Sequence, residues 1–336
     1  MKKLADTALS VLDLVPVNTG ETPADALRKS LDLARQAEAL GFQRYWVAEH
    51  HNMPGVASSA TSVVIGHLAA GTRRIRVGAG GVMLPNHAPL IIAEQFGTLA
   101  SLYPDRIDLG LGRAPGTDPM TARALRRDLV GNAEDFPALV AELRGYFEPE
   151  DDQLRPRAVR AVPGAGVNVP IWLLGSSDYS ARLAAELGLP FAFASQFAPQ
   201  HLLPALSLYR DRFQPSAVLD KPYAMAGVNV YLADTDAEAQ KLASSHKQQF
   251  LNLIRGVRKP LPAPVDSMDG LWSAAERAMV ETQLAASFTG SPARVREGLE
   301  SFLERTAVDE LIVNSAIFDH GARLLSYRLL AELRGN

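Results

Sequence analysis

Glu49-His50-His51-Asn52 stands directly after an apolar run, Tyr45-Trp46-Val47-Ala48, so two of the chain's seven histidines lie side by side. Paired histidines can ligate a metal, move protons, or sit as hydrogen-bonded structural groups. On an extended segment adjacent side chains point to opposite sides, so both do not readily reach one metal. No further His or Asp falls at HExxH-type spacing, and metal chemistry is not expected. One histidine is expected to face an open site, with the other packed or hydrogen-bonded behind it. A second constellation is Gly175-Ser176-Ser177, which opens a helical pattern running to Leu187. Hydroxyls and free backbone N–H groups at a helix start form an anion site, although serines also cap helices routinely. Arg113 shifts the balance toward a phosphate, because a guanidinium reaches one in a bidentate manner. A third is Gly80-Gly81, which removes Cβ atoms where backbone must approach something flat and large, or simply turn tightly. No GxSxG nucleophile elbow occurs, and nothing in the spacing supports Asp13 with Glu49 as paired glycosidase carboxylates.

These groups need a frame that brings them together. Apolar runs fall at Ala8–Asp13, Phe42–Val47, Ile75–Ala79, Ile107–Leu111, Val169–Leu174, Phe191–Ser195, Ala224–Leu232 and Glu310–Asn314. Each is short and apolar on both faces, as buried parallel strands are, and helical patterns alternate with them. Thr22-Pro23-Ala24-Asp25 reads as a helix start, Leu27, Leu31, Ala34 and Ala37 as its buried face, and Gly41 as its stop. Pro89 to Leu102 reads as another helix, with Ile92, Phe96, Leu99 and Ala100 inward. Eight such units in 336 residues are what a (β/α)8 TIM barrel requires, as one domain over residues 1–336. Residues 254–290, with Pro260, Pro262 and Pro264, read as an insertion between strands seven and eight, either a lid or a plain surface loop. A doubly wound sheet would want a GxGxxG turn after the first strand, where the chain reads Val15-Pro16-Val17-Asn18-Thr19-Gly20. In a barrel, the strand ends gather Asp13, the Glu49–His51 run, Gly78-Ala79-Gly80-Gly81, Gly110-Leu111-Gly112-Arg113, Gly175 with Ser176 and Ser177, and Ser195-Gln196 on one rim.

Composition narrows the partners. A net charge of −3 leaves no basic excess for nucleic acid, and the Arg123 to Arg127 cluster reads as a solvated helix face. No stretch approaches the roughly 20 apolar residues that span a membrane. The start Met-Lys-Lys-Leu-Ala-Asp is basic, but Asp6 and Asp13 interrupt any apolar core of a signal peptide. With no cysteine, disulfides and thiolate chemistry are excluded, which fits a reducing cytoplasm.

Four stretches resemble the bacterial luciferase-like, flavin-dependent monooxygenase family. They are Trp46 to His51, Val77 to His87, Ile107 to Gly116 and Pro170 to Ser177, and the likeness covers nearly the whole chain. The chain is most similar to the single-component subgroup carrying Gly-Arg-Ala-Pro-Gly. The resemblance implies a TIM barrel that binds reduced FMN, with the phosphate near Ser176, Ser177 and Arg113. It also implies a non-proline cis peptide at Gly80–Gly81. By the same likeness His50 lies near the flavin C4a and stabilises a C4a-peroxyflavin, with His51 in support. Glu49, Gln196 and Phe197 are expected around substrate or as support. The implied reaction is oxygenation of a small organic substrate by O2, with FMNH2 delivered by a separate flavin reductase. An F420-dependent hydride-transferring oxidoreductase and a non-catalytic flavin carrier are the alternatives. Light-emitting members are heterodimers with a cysteine where this chain has Gly112, so light emission is not implied. A homodimer is expected, through the helices after strands two and three.

Overall fold

A computed structural model describes residues 2–114, 118–125, 135–149 and 158–335. The apolar runs form parallel strands β1 (Ala8–Asp13), β2 (Arg44–Val47), β3 (Arg76–Met83), β4 (Ile107–Gly112), β5 (Ile171–Gly175), β6 (Phe191–Phe193), β7 (Ala224–Leu232), β8 (Ser287–Gly290) and β9 (Glu310–Asn314). Pairing runs β1 to β7 in order, then β7 to β9 and β9 back to β1, which closes a (β/α)8 barrel. Strand β8 stands outside that ring, against the far half of β7 from Asn229 to Leu232.

The helices are α1 (Pro23–Ala39), α2 (Thr61–Ala70), α3 (Pro89–Leu102), α4 (Pro119–Leu125), α5 (Phe136–Phe147), α6 (Asp178–Leu187), α7 (Leu202–Arg212), α8 (Asp236–Ile254), α9 (Ala274–Gln283), α10 (Pro292–Thr306) and α11 (His320–Gly335). Helix α1 begins with a complete capping box, Thr22 with Asp25, and ends at Gly41 with φ +76°. Its buried face is Ala26, Ser30, Leu33, Ala34 and Ala37, with Leu27 and Leu31 at the edge of the stripe rather than its centre. The 254–290 segment is not one irregular insertion: it holds α9, started by a Ser273–Glu276 capping box, and β8. Four residues on a short Ser-Phe-Thr-Gly run carry too little apolar pattern to read as a strand without the far half of β7 beside them.

Inward positions alternate along every strand. Leu12, Trp46, Trp172, Ala192, Met225 and Ile312 fill the barrel interior as one cluster, and the two tryptophans meet edge to face at 5.2 Å. On β3 and β4 the inward positions include Gly78, Gly80 and Gly110. A Cβ on Gly78 would meet the Asp108 carbonyl at 2.4 Å, and one on Gly110 the Ala79 carbonyl at 2.2 Å. The neighbouring backbone thus explains part of this glycine pattern, leaving Trp46 and Trp172 to occupy the space. A larger cluster, including Leu33, Phe96, Phe136 and Tyr327, packs helices on the outside of the sheet. Among the described residues no helix is long and apolar enough to cross a membrane.

Candidate active site

The C-terminal strand ends surround a cavity of about 220 Å3 with mainly apolar walls. Leu12, Trp46, Ala192 and Ile312 form its base, and polar groups enter from separate sides. From β2, His50 borders the cavity while Ser59 Oγ donates to its backbone carbonyl at 2.7 Å. His51 turns elsewhere: its Nε2 lies 2.9 Å from Glu49 Oε1. Glu49 is 1% exposed and takes a second imidazole, His87 Nε2, on the same oxygen at 2.9 Å. Its other oxygen accepts the Met83 backbone N–H at 3.0 Å. Burial opposes the ionised form of Glu49, but the hydrogen bonds from His87, His51 and Met83 outweigh it and lower the pKa.

Glu49 and His51 are therefore a hub tying β2 to the end of β3, off the cavity wall. His87 lies far along the sequence in the loop before α3, so spacing around the histidine pair did not expose it. The three ligand atoms lie within 4.8 Å of one another, close enough to hold a cation. Both imidazoles already reach the carboxylate at hydrogen-bond distance, so the cluster also satisfies itself without one.

Gly80 and Gly81 border the cavity, and their peptide bond is cis. They lie inside β3 rather than in a turn after it: the register with β4 shifts between Ala79 and Val82 and then resumes. Side-chain periodicity ends at Ala79, which is why the strand reads short. A Cβ on Gly81 would meet the Gly110 carbonyl at 2.6 Å, whereas one on Gly80 would press on Leu12 and Trp46 in the cavity base.

Arg113, Gly175, Ser176 and Ser177 converge on the cavity from β4 and β5. The Arg113 guanidinium lies 3.9 Å from the centre of the Tyr179 ring, which orients it without neutralising it. Ser177 is the N-cap residue of α6, yet its side chain makes no cap hydrogen bond. Plain capping therefore does not account for it. A phosphate would find a guanidinium, two hydroxyls and the positive end of α6 here, so the donor set fits such a group. Pro115 and Gly116 lie outside the described residues, as do Arg126 and Arg127; Arg123 is exposed.

Gln196 and Phe197 border the cavity next to β6, Phe197 with 45% of its surface open. The Gln196 backbone carbonyl accepts from Asn229 Nδ2 at 2.6 Å. Asp13 is no rim carboxylate: it is fully buried, bonded to Arg323 Nη2 at 2.8 Å, to the Tyr45 hydroxyl and to the Val15 N–H. Burial opposes its charge, but Arg323 and the Tyr45 and Ser30 hydroxyls prevail and lower its pKa. That removes the carboxylate pair with Glu49.

Among the lining residues that escaped the sequence reading are His246, Asn229 and Asn314. The asparagines carry a signal in retrospect, as polar residues inside apolar strands; Asn314 Nδ2 donates to Asn229 Oδ1 at 2.8 Å. His246 gave none, since it lies in a helix of mostly polar residues.

The family model described as luciferase-like monooxygenase matches residues 9–310. The chain is 58% identical to the uncharacterised Bacillus subtilis (strain 168) protein YvbT, over 98% of both chains. It is 54% identical to a luciferase-like monooxygenase of Escherichia coli (strain K12), over 97% of both. The Bacillus subtilis N-acetyl-S-alkylcysteine monooxygenase is 33% identical, over 96% of this chain and 97% of its own. Among solved structures, apo-MsnO8 superposes with a TM-score of 0.87 at 38% identity, covering 97% of this chain and 98% of that one. Two more distant structures share the fold. The oxygenating constituent of 3,6-diketocamphane monooxygenase from Pseudomonas putida, a type II Baeyer–Villiger enzyme in complex with FMN, has a TM-score of 0.70 at 18% identity over 97% of both chains. An F420-dependent secondary alcohol dehydrogenase has 0.68 at 14% identity, over 98% of this chain and 99% of that one.

Proposed function

The chain belongs to the luciferase-like monooxygenase family, and from that premise we propose that it is an FMN-dependent monooxygenase acting on a small organic substrate. The observation that carries this reading is the Arg113, Ser176 and Ser177 donor set opening onto the same apolar cavity as His50. A flavin phosphate matches the donors, and the isoalloxazine matches the broad apolar space beyond them. The bound FMN in the 3,6-diketocamphane enzyme adds support for this cofactor. Reduced FMN supplies the electrons for O2 activation, one oxygen atom entering the substrate and the other leaving as water.

The chain's own residues do the rest. Arg113 and the α6 N-terminus anchor the dianionic end. Leu12, Leu14, Trp46 and Ile312 keep water away from the reacting edge. His50 holds a proton beside the cavity and returns it as charge develops. Glu49, His51 and His87 fix the segment on which His50 stands. Delivery of FMNH2 by a separate reductase, a cytoplasmic setting and a homodimer complete the proposal.

The test is O2-dependent oxidation of protein-bound reduced FMN. The parent should release hydrogen peroxide slowly without substrate, and His50→Ala should release it faster at unchanged FMN affinity. Equal peroxide release by both proteins removes His50 from the chemistry, and failure to bind FMN at micromolar concentration removes the function.

A further inference from the structure

His246 enters the cavity from α8, on the β7–β9 side of the barrel, away from Arg113 and the α6 N-terminus. It is 6% exposed, and Phe250 packs edge to face against it at 4.9 Å. Behind it, the hydroxyl of Tyr231 is bonded to Nδ1. Tyr231 is 2% exposed, and among the described residues His246 is its hydroxyl's only hydrogen-bond partner. The phenol therefore donates and Nδ1 accepts. Burial drives the His246 pKa down to about 4, so the ring is neutral at neutral pH. A neutral imidazole that accepts at Nδ1 carries its proton at Nε2. That N–H has no partner among the described residues, although polar groups in so enclosed a place normally have one.

The rest of the wall fixes the partner's charge. Among the described lining residues Arg113 is the only permanently charged side chain. Glu49 is buried off the wall within its histidine hub. An ionic substrate beside His246 and Phe250 would lose its hydration with no counter-charge beside it among the described lining residues.

We propose that His246 is a substrate-binding residue, and that the substrate is an uncharged organic molecule whose carbonyl-type oxygen accepts the His246 Nε2–H. Tyr231 is the positioning residue that sets the tautomer. The inference rests on the FMN reading only in giving Arg113 to the cofactor phosphate.

The test uses two neutral isosteres, cyclohexanone and methylenecyclohexane, with cyclohexanecarboxylate as the ionic probe. Affinities are measured by calorimetry or saturation-transfer NMR, on flavin-free and FMN-saturated protein. The parent should prefer the ketone over the hydrocarbon by about five- to tenfold, the worth of one neutral hydrogen bond. His246→Phe should abolish that preference while keeping hydrocarbon affinity, and His246→Gln, which retains an N–H, should restore part of it. Tyr231→Phe should reduce the preference without touching hydrocarbon binding. A role in packing alone would move both ligands together. The proposal is overturned by an unchanged preference in His246→Phe, by tighter binding of the carboxylate to FMN-saturated protein, or by no ketone binding at millimolar concentration. FMN affinity is read in the same titrations. Loss of FMN binding with the ketone preference intact sinks the cofactor reading alone, and the reverse result sinks this one alone.

Discussion

The two ends of the barrel treat charge in opposite ways. At the N-terminal end Arg44 bridges Asp108 at 2.9 Å and Glu310 at 3.0 Å, and Arg76 holds the other Asp108 oxygen at 2.6 Å. Trp46 Nε1 donates to Asp108 at 3.1 Å, the Tyr223 hydroxyl to Glu310 at 3.0 Å, and Ser10 also bonds to Glu310. Both carboxylates are thus supplied with donors from several strands. At the C-terminal end Arg113, Ser176, Ser177 and the Nε2–H of His246 face a cavity instead. The hollow below the floor, about 830 Å3, is the larger of the two, yet Arg44, Arg76 and Asp108 on its wall already pair with one another. Size therefore does not pick out the functional end. Polar groups that satisfy one another fix strand register, and polar groups aimed at space await a ligand.

The Glu49 hub tests that division because it lies at the functional end but is closed like the floor. The sharpest way to break the comparison is at the floor itself. Arg44→Ala takes the one cation that pairs with buried Glu310 among the described residues and one of the two on Asp108, and should cost about 3 kcal/mol in urea unfolding while the folded protein keeps its FMN affinity. Loss of FMN affinity at unchanged stability would contradict a structural floor. Glu49→Gln should cost about 2 kcal/mol at neutral pH, since it weakens bonds from two histidines and a backbone N–H. The folded pKa of Glu49 is held below its ordinary 4.5, so its stabilising contribution is present above that value and lost as pH falls. Unfolding midpoints of parent and Glu49→Gln should therefore converge in acid, and a gap independent of pH would refute the ionised hub. At the mouth the signs reverse. Arg113→Ala should weaken FMN binding roughly 10- to 100-fold with little change in melting temperature. Ser177→Ala should weaken it roughly three- to fivefold by fluorescence titration.

Much of this division was legible in the chain. Strand–helix alternation gives the barrel, and strand ends place Arg113, Ser176, Ser177 and His50 on one rim. What escaped depends on side-chain pairing across the fold. Asp13 looked like a rim carboxylate until Arg323, from the last helix, reached it. His51 and His87 meet only because Glu49 lies between them. Gly80 and Gly81 read as a turn because a register shift breaks the alternation that marks a strand. His246 sits on a helix whose pattern says nothing of the tyrosine behind it.

In the proposed function Arg113, Ser176 and Ser177 receive a flavin phosphate, and this contact decides the cofactor. It is tested most directly by comparing FMN with riboflavin, which lacks only that group, as reduced ligands under anaerobic conditions. The parent should bind FMN at least roughly 30-fold more tightly, and Arg113→Ala should lose most of this preference. Equal affinities in the parent, or a preference that survives in Arg113→Ala, would contradict it.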